Sequence, residues 1–516
     1  MAESSMTASR PAWRGTPLVL AMLCGIVAYS DGFRGPFIFD DIDAILNNPQ
    51  VNRDLSNSRP PAPTTLSGRP VLRASFAADD AIGGLNVAVY HATNLLIHLA
   101  CGTILFGIVR RNLSSQRTWG GRFEKSAHWL AGAVTAVWLV HPLNAEAVTY
   151  LVQRAESLAG LFYLLVIYCV IRDWKLVAVA ACALGMGVKE IVATAPLVAL
   201  IYDRTFISGS FAAALKRRMF LYLGLAATWI IPIASVLTKS RRASIGNIAP
   251  LDYARTQLGV IAHYVSLTFW PRNLVLDYYD WPVVHSWDRI GWLGVLIVIS
   301  ILLTAFFLCR KSWLGFLGTW FFIILAPSSS VLPIFTEIAA EHRMYLPLVV
   351  LVALIIVGGW VILSRTLPGA WIAGILLTVL LAALSTRTFL RNAEYQDPRL
   401  IWADNIIQRP ANPRAHFNLG FTLMTMDQPA EAVGEFRKAL DLAPDYYAAA
   451  SELGRALVRS GNSSAAEKFY TDEMSILPAF TSEALLARGR LRAARGDFAG
   501  ASGDFQAVTR PDRRVP

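Results

Sequence analysis

The chain has 516 residues, of which 54% are hydrophobic and only 16% are charged, and its mean hydropathy is +0.44. A soluble globular protein carries about 25% charged residues. The composition therefore excludes an ordinary soluble protein and indicates an integral membrane protein. The net charge of +11 does not indicate nucleic-acid binding, because basic residues cluster in short loops between apolar segments, as they do on the cytoplasmic side of membranes.

The first apolar segment, Thr16 to Tyr29, follows Arg10 and Arg14, which is a signal-like pattern. We interpret it as an uncleaved signal anchor, because the later spans need a first partner; cleavage near Ala28-Tyr29-Ser30 is the alternative. In either case the residues that follow it lie outside the cytoplasm. A hydrocarbon core of about 30 Å needs roughly 20 apolar residues per helix, and such segments recur as far as Ser385.

The remaining apolar segments predict an all-α, polytopic membrane helix bundle of about 11 to 12 spans. In chain order they are Val87 to Val109, Trp129 to Val140, Leu158 to Ile171, Leu176 to Met186, Ile191 to Tyr202, Phe220 to Leu237, Trp292 to Leu308, Trp313 to Leu332, Leu346 to Leu363 and Ala370 to Leu384. The two short segments around Lys189-Glu190 are predicted to form a hairpin with that dipeptide at its tip. Leu258 to Trp270 is predicted as a re-entrant or interfacial helix, since a full crossing would place Arg310 and Lys311 outside.

This topology brings ionisable loop residues to one side of the membrane. The loops that face the non-cytoplasmic side contain Asp40, Glu146, Lys189, Asp277, Glu341 and Arg343. Charged groups at membrane depth are expensive, and they usually pair or line a polar cavity. We therefore expect a functional site on this side, built from four groups of residues.

The first group is the acidic loop Phe39-Asp40-Asp41-Ile42-Asp43. A carboxylate near a cavity can accept a proton from an attacking hydroxyl, and a neighbouring carboxylate raises its basicity by like-charge repulsion. Asp40 and Asp41 are therefore candidate catalytic bases, and a solvated loop with an Asp cap is the alternative. No metal site is readable, since no second ligand set follows and the five cysteines lack CxxC spacing. We predict no cofactor and leave a divalent metal open.

The second group follows His141-Pro142. On a continuous helix, Glu146, Tyr150 and Arg154 would fall at positions i, i+4 and i+8 and share one polar face. In a functional site, Glu146 would bind a sugar or acceptor hydroxyl, and the planar guanidinium of Arg154 would bind a phosphate. A structural network that locks two helices together is the alternative.

The third group is Lys189-Glu190 at the tip of the predicted hairpin. A lysine at this position can extend its ammonium group to the membrane interface, which is the common behaviour of such residues. It can equally bind an anionic head group. The two alternatives remain open from the sequence.

The fourth group is Glu341-His342-Arg343-Met344-Tyr345. Arg343 and Tyr345 can donate to a phosphate while Glu341 orients the arginine, and an interfacial belt is the alternative. With the cations of the second and third groups, Arg343 would complete three cations beside an acidic pair. Cations that bind an anion next to a base fit a transfer from a phosphate leaving group.

After Glu394 the chain becomes charged and rich in alanine, which predicts a membrane domain over residues 1–390, a linker over 391–412 and helical repeats over 413–516. The repeats have tetratricopeptide spacing, with a period of 34 residues. The matching positions are Leu419-Gly420, Ala432, Phe436, Ala439 and Pro444, then Leu453-Gly454, Ala466, Tyr470 and Pro478, then a third unit shifted by one with Gly489, Ala501 and Phe505. Such repeats usually bind peptides or partner proteins, and here they are predicted on the non-cytoplasmic side.

The order of these motifs resembles the transmembrane and tetratricopeptide-repeat O-mannosyltransferases, which are GT-C glycosyltransferases that use polyprenyl-phosphate sugars. The resemblance covers nearly the whole chain. The motifs that carry it are the Asp40-Asp41 loop, His141-Pro142 with Glu146-Ala147-Val148 and Arg154, Lys189-Glu190, Leu267-Thr268-Phe269-Trp270-Pro271 with Asp277-Tyr278, Glu341-x-Arg343-x-Tyr345-Leu346-Pro347, and the terminal repeats.

The resemblance implies a GT-C membrane domain and an inverting transfer of mannose or a similar hexose to a hydroxyl, chiefly Ser or Thr of a protein. It implies Asp40 or Asp41 as the base, Glu146 as a second acid, and Lys189, Arg154 and Arg343 as ligands of the donor phosphate. The supporting residues would be Tyr150, Glu190, Asp277, Glu341, His342 and Tyr345. The implied partners are the lipid-linked sugar, membrane lipids and an acceptor protein on the repeats, with no nucleic acid.

The array has about three repeats, fewer than in typical eukaryotic members of that family, which favours a bacterial inner-membrane relative with its site and repeats in the periplasm. Three alternatives differ in function. The acceptor could be a lipid or a glycan, the protein could be a flippase for a lipid-linked sugar, or it could be a membrane scaffold. A flippase would be expected to show paired or inverted repeats, which the sequence lacks, and a scaffold would not need the acidic pair.

Overall fold

A computed structural model describes residues 15–55, 65–238, 248–330, 333–334, 336–365 and 367–509. Within these ranges all regular structure is helical, which confirms the predicted all-α class. The chain divides into two compact units. Unit 1 comprises residues 1–274, 282–335 and 340–396, and unit 2 comprises residues 275–281, 336–339 and 397–516.

Unit 1 contains sixteen of the helices that the structure describes, joined by short 3-10 and π-helical turns. They are α1 Thr16–Ala28, α2 Pro70–Gly83, α3 Val87–Leu113, α4 Gln116–Trp119, α5 Ala127–Leu139, α6 Ala145–Thr149, α7 Arg154–Arg172, α8 Lys175–Met186, α9 Ala195–Tyr202, α10 Phe211–Ala227, α11 Ile230–Thr238, α12 Pro250–Phe269, α13 Trp292–Cys309, α14 Trp313–Leu325, α15 Leu348–Leu363 and α16 Leu367–Glu394. At the centre, α3 packs against α5 and α7, and α5 also packs against α1.

Five helical segments in the described part of the chain are long and apolar enough, by length and composition, to cross a membrane. They are Val87–Leu113, Leu151–Arg172, Glu190–Ser208, Trp292–Cys309 and Pro368–Glu394. Shorter apolar helices are Thr16–Ala28, Ala127–Leu139, Lys175–Met186, Trp313–Leu325 and Leu348–Leu363. These helices confirm a polytopic membrane protein, whereas the total of 11 to 12 spans and the interfacial role of α12 stay predictions.

The second arm of the predicted hairpin is longer than the sequence suggested. It continues as a helical segment from Glu190 to Ser208, past Asp203 and Arg204. Asp203 is fully buried and accepts hydrogen bonds from the hydroxyls of Tyr222 and Ser208, both at 2.6 Å. Because these partners satisfy the carboxylate inside the protein, its charge does not end the helical segment as the hydropathy pattern implied.

Unit 2 is a succession of helices in which each packs against the next. They are α17 Pro398–Gln408, α18 Pro413–Thr425, α19 Pro429–Leu442, α20 Tyr447–Arg459, α21 Ser463–Ile476, α22 Thr481–Ala494 and α23 Phe498–Thr509. The predicted linker, residues 391–412, is largely helical, because it holds the end of α16 and all of α17. Ile401 and Trp402 of α17 are buried, and α17 packs against α18.

Three glycines of unit 2 face an aromatic ring from the second helix of the same repeat. Gly420 meets Phe436, Gly454 meets Tyr470 and Gly489 meets Phe505, and a Cβ added at any of the three would overlap the ring. Only glycine therefore allows the two helices of each pair to approach this closely. The recurrence reproduces the register that the sequence predicts for three tetratricopeptide units.

Gly454→Ala is expected to destabilise unit 2, because the new methyl group would collide with the Tyr470 ring. Overpacking of this kind costs about 1 to 3 kcal/mol. Gly434→Ala is the matched control, since Gly434 is exposed within α19 and an added Cβ would contact nothing. It should be neutral or stabilise by up to about 1 kcal/mol. Both effects are measured by heating the full chain and detecting unfolding as proteolytic cleavage within residues 413–509. Equal stability of the two variants would show that Gly454 is not packed closely against the Tyr470 ring.

Candidate functional site

The helix that the sequence predicts through Glu146, Tyr150 and Arg154 is broken. Helix α6 ends at Thr149, Tyr150 has extended backbone angles (φ −76°, ψ 112°), and α7 begins at Arg154 after a single 3-10 turn. The prediction that these three side chains share one helical face is therefore wrong. The prediction assumed continuous helical periodicity, which cannot reveal a break that distant residues stabilise.

Two buried polar side chains form hydrogen bonds with backbone groups at this break. Asp41 Oδ1 accepts a hydrogen bond from the backbone N–H of Val152 at 2.7 Å. The side-chain amide of Asn94 donates to the carbonyl oxygens of Val148 at 3.0 Å and Leu151 at 3.4 Å. An unsatisfied backbone group in a hydrocarbon environment costs several kcal/mol, so these hydrogen bonds offset part of the free-energy cost of the helix break.

Asp41 also closes its own loop, because its Oδ2 accepts the backbone N–H of Ile38 at 3.1 Å. The side chain is completely buried. Burial raises the pKa of Asp41 to about 8, although the backbone N–H groups of Ile38 and Val152 oppose the shift; the nearby charge of Asp40 adds to it. Asp41 thus connects the acidic loop to the break between α6 and α7.

Asp40 lies in a different environment from its neighbour. Its side chain is partly exposed, and its backbone N–H donates to the Tyr150 hydroxyl at 3.0 Å. The ring of Tyr150 stacks on Phe39, with centroids 6.5 Å apart. Phe39 has φ +46°, a left-handed conformation that is strained for a bulky residue and often marks functional loops. The adjacent acids are therefore not equivalent: Asp41 is fully buried and Asp40 is partly exposed.

Arg154 begins α7 and is fully buried between α2 and α3. Its guanidinium partners are the carboxylate of Asp79 at 2.5 Å, the amide oxygen of Asn94 at 2.5 Å, the carbonyl oxygens of Tyr90 at 3.0 Å and Ser75 at 3.2 Å, and the ring of Phe76. In this arrangement the guanidinium has no exposed surface for the predicted contact with a lipid phosphate. The structure instead places Arg154 as a brace that holds the start of α7 against α2 and α3.

A second network joins Glu146, His342, Glu156 and Lys189. The two carboxylate oxygens of Glu146 contact the ring Nδ1 of His342 at 2.7 Å and its backbone N–H at 2.9 Å. His342 Nε2 lies 3.8 Å from Glu156 Oε1, which is 2.8 Å from the Lys189 ammonium. The first three side chains are buried, whereas the Lys189 side chain is 18% exposed. The network therefore ends in a cation that solvent can reach.

The segment Glu341–Met344 forms a buried 3-10 turn beside this network. Arg343 donates to the carbonyl oxygen of Ser328 at 3.3 Å. Tyr345 packs into the helical core, where its hydroxyl lies 2.8 Å from His98 Nδ1. Glu341 interacts electrostatically with Arg391 of α16. The turn thus combines a buried cation with contacts that fix its backbone.

Two predicted supporting residues have other partners. Glu190 pairs with Arg69 at 3.0 Å. Asp277 belongs to unit 2, where its carboxylate contacts the Arg414 guanidinium and accepts from the Asn412 amide at 2.9 Å. Asp277 therefore ties the segment 275–281 to the first repeat helix, α18. No group of three or more His, Cys, Asp or Glu side chains suited to a metal occurs among the described residues.

Sequence reasoning missed Asn94 and Asp79, which hold Arg154. A signal for Asn94 exists, because His91, Asn94 and His98 recur at helical spacing inside an otherwise apolar span. All three are buried, and they form a polar stripe along α3. Asp79 lies in a segment of mixed polarity, and only the three-dimensional contact reveals its role.

The fold, the acidic loop and the buried polar networks define a polytopic helical membrane protein with paired acids, buried cations and a tetratricopeptide array. A tetratricopeptide-repeat family profile matches residues 423–472. The chain is 23% identical to Protein O-mannosyl-transferase F38B6.6 of Caenorhabditis elegans, over 83% of this chain and 63% of that protein. It is 23% identical to human Protein O-mannosyl-transferase TMTC4, over 79% of this chain and 64% of that protein.

Human Protein O-mannosyl-transferase TMTC1 is 24% identical, over 84% of this chain and 56% of that protein. The resemblance that the sequence motifs indicated is therefore confirmed over most of the chain. The chain spans less than two thirds of the length of these curated relatives.

Asp41 should make the stability of the protein depend on pH. The native carboxyl keeps its proton up to about pH 8, whereas the unfolded chain releases it near its ordinary pKa of 3.8. Between these values unfolding releases a proton, so the free energy of unfolding falls as pH rises, by at most about 1.4 kcal/mol per pH unit. When the melting temperature of the protein is measured between pH 5.5 and 9, the contribution of Asp41 should lower it up to about pH 8 and should change little above that pH. A decline of equal slope in Asp41→Asn would contradict the assignment.

Arg154→Gln is expected to destabilise the protein strongly, because it leaves the buried carboxylate of Asp79 without its cation. Removing one partner of a buried pair costs about 3 to 5 kcal/mol. Arg459→Gln is the control, because its pair with Asp427 is exposed and such pairs contribute about 0 to 1 kcal/mol. Thermal unfolding in detergent compares the two; a loss no larger than that of the control would show that Arg154 is not a brace.

Proposed function

We propose that the chain is a glycosyltransferase that moves mannose or a similar hexose from a polyprenyl-phosphate donor to a hydroxyl acceptor. The acceptor would be Ser or Thr of a protein, on the periplasmic face of a bacterial inner membrane. Two findings support this proposal. The matched relatives are named protein O-mannosyl-transferases, and the loop that Asp41 anchors carries the partly exposed Asp40.

The reaction would be a single inverting displacement. The Asp40 carboxylate takes the proton of the acceptor hydroxyl as its oxygen attacks the anomeric carbon. The bond between that carbon and the phosphate oxygen breaks, and the polyprenyl phosphate leaves with the electron pair. A positioned general base contributes on the order of 10² to 10⁴ in rate.

The environments of the two acids favour Asp40 as the base. Asp41 is enclosed, each of its oxygens accepts a backbone N–H, and burial raises its pKa to about 8, so it is largely protonated at neutral pH. Asp40 is partly exposed, and its backbone is fixed by Tyr150. Asp41 would therefore act as a positioning residue that holds Asp40 against the break at Tyr150.

Stabilisation of the leaving phosphate would fall to Lys189 and Arg343. The Lys189 side chain is 18% exposed, and its ammonium group lies 2.8 Å from Glu156 Oε1, which orients it. A phosphate group that approaches from solvent could therefore contact it. Arg343 lies in the 3-10 turn that Glu146 holds through His342. Arg154, which the sequence assigned to the same task, would support the site by fixing α7. Preorganised cations of this kind stabilise charge as it develops on a leaving group.

The repeats of unit 2 would bind the acceptor protein. Tetratricopeptide helices stack into extended surfaces that usually recognise peptides. Transfer to a lipid or glycan acceptor is the second candidate, because the acidic loop alone does not select the acceptor. A flippase or scaffold would not require an accessible base.

Membranes that contain the full chain, supplied with radiolabelled polyprenyl-phosphate-mannose, test the proposal through three variants. Asp40→Asn should lower sugar transfer by about 10² to 10⁴ and should lower the melting temperature less than Asp41→Asn does, since Asp40 is only partly buried. Asp41→Asn should lower both transfer and melting temperature, since the amide places an N–H₂ where a backbone donor needs an acceptor. Asp43→Asn is the control, because Asp43 is exposed in the same loop, and it should be active.

Unchanged transfer by Asp40→Asn would refute the base assignment. Absence of transfer by the wild-type protein to protein, lipid and glycan acceptors alike would favour a flippase or scaffold. If the wild-type protein transferred sugar only to a lipid or a glycan, the proposed protein acceptor would be wrong, and the proposed displacement mechanism would still hold.

A further inference from the structure

Unit 1 contains a half-enclosed cavity of about 320 Å³ that the proposed transfer reaction does not use. It lies among the end of α3, the start of α14 and the length of α15, and its walls are almost entirely apolar. Ligand pockets in proteins have volumes of about 300 to 1,000 Å³, so the space is large enough for part of a ligand.

This cavity lies at the opposite end of α3 from the acidic site. Asn94, which satisfies the helix break, is in the first third of α3, whereas the cavity is lined by Leu105 to Leu113 at its other end. Along the helix, Leu105 to Leu113 lie roughly 17 to 28 Å from Asn94 at 1.5 Å of rise per residue. In a hydrocarbon core of about 30 Å, a helix that crosses it would carry these residues in the half opposite to Asn94.

The rim of the cavity is basic and aromatic. Arg122 is exposed and lines the cavity, and Trp119 and Trp313 lie beside it with ring centroids 5.2 Å apart and ring planes tilted by 54°. Tryptophan is enriched at membrane interfaces, and basic loops mark the cytoplasmic side. Further basic residues near this end of the helices are Arg110, Arg111, Arg117, Lys125, Arg310 and Lys311.

We propose that this cavity binds one anionic phospholipid of the cytoplasmic leaflet. An acyl chain would fill the apolar space along α15, and the exposed Arg122 at the rim would pair with the phosphate. The charge of the rim selects an anionic lipid over a zwitterionic one, since each basic residue near the surface contributes about 1 kcal/mol. The site is separate from the proposed transfer site and does not depend on it.

Gly358 offers a direct way to fill the cavity. It lines the space, and a Cβ built on it meets no atom within 4 Å. Gly358→Phe would therefore project a ring into the cavity without a backbone collision. Gly359→Phe is the matched control, because the neighbouring glycine is equally unobstructed and does not line the cavity.

The test is native mass spectrometry of the full chain, equilibrated with equal amounts of phosphatidylglycerol and phosphatidylcholine that carry the same acyl chains. The wild-type protein and Gly359→Phe should retain one phosphatidylglycerol, in about fivefold preference over phosphatidylcholine. Gly358→Phe should lose retention of both lipids by at least tenfold. Arg122→Gln, at an exposed position, should retain lipid and lose the preference for phosphatidylglycerol.

Wild-type retention that persists in Gly358→Phe would overturn the proposal, as would equal retention of the two lipids by the wild type. A parallel arm with polyprenyl phosphate distinguishes the proposed donor from a membrane phospholipid. If Gly358→Phe abolished retention of polyprenyl phosphate alone, the cavity would hold a donor chain, and the phospholipid assignment would be wrong. An unchanged elution profile and melting temperature establish that each variant is folded.

Discussion

The hydrogen bond from the backbone N–H of Val152 to the side-chain carboxyl group of Asp41 is the contact on which the proposed site depends. It satisfies a donor that the break between α6 and α7 exposes, and it attaches the loop after α1 to the centre of the bundle. The same loop residue binds Ile38, so the acidic loop closes around a buried carboxyl. Of the two adjacent acids, Asp41 holds the backbone and Asp40 remains partly exposed.

A second layer of contacts keeps this geometry rigid. Arg154 crosses from α7 to α2 and α3 through Asp79 and Asn94, and Glu146 holds the turn that contains Arg343 through His342. Buried polar networks are costly unless every member is satisfied, so the apolar bundle around them specifies a single arrangement. The opposite end of α3 has a different character, with an apolar cavity and a basic rim. One central helix thus connects two chemically distinct ends of the bundle.

The sequence predicted much of this organisation, because charge is expensive in an apolar chain and glycine is distinctive in a helix. The paired acids, Glu146, Lys189 and Arg343 stood out for the first reason, and the repeat register at Gly454 for the second. The break at Tyr150 was not predictable from local periodicity, since Asp41 and Asn94 stabilise it from distant parts of the chain. For the same reason, the sequence led to the prediction that Arg154 binds the donor phosphate, whereas its partners in the structure come from α2 and α3.

The most direct test of this account is a cryo-EM structure of the full chain bound to a non-transferable polyprenyl-phosphate-sugar analogue and an acceptor peptide. The acceptor hydroxyl should lie within hydrogen-bond reach of Asp40, about 2.6 to 3.2 Å, with Lys189 and Arg343 at the phosphate. Asp41 should still accept the Val152 N–H. A structure in which Asp41 has left Val152 to contact the acceptor, or in which the sugar binds away from this loop, would contradict the central claim.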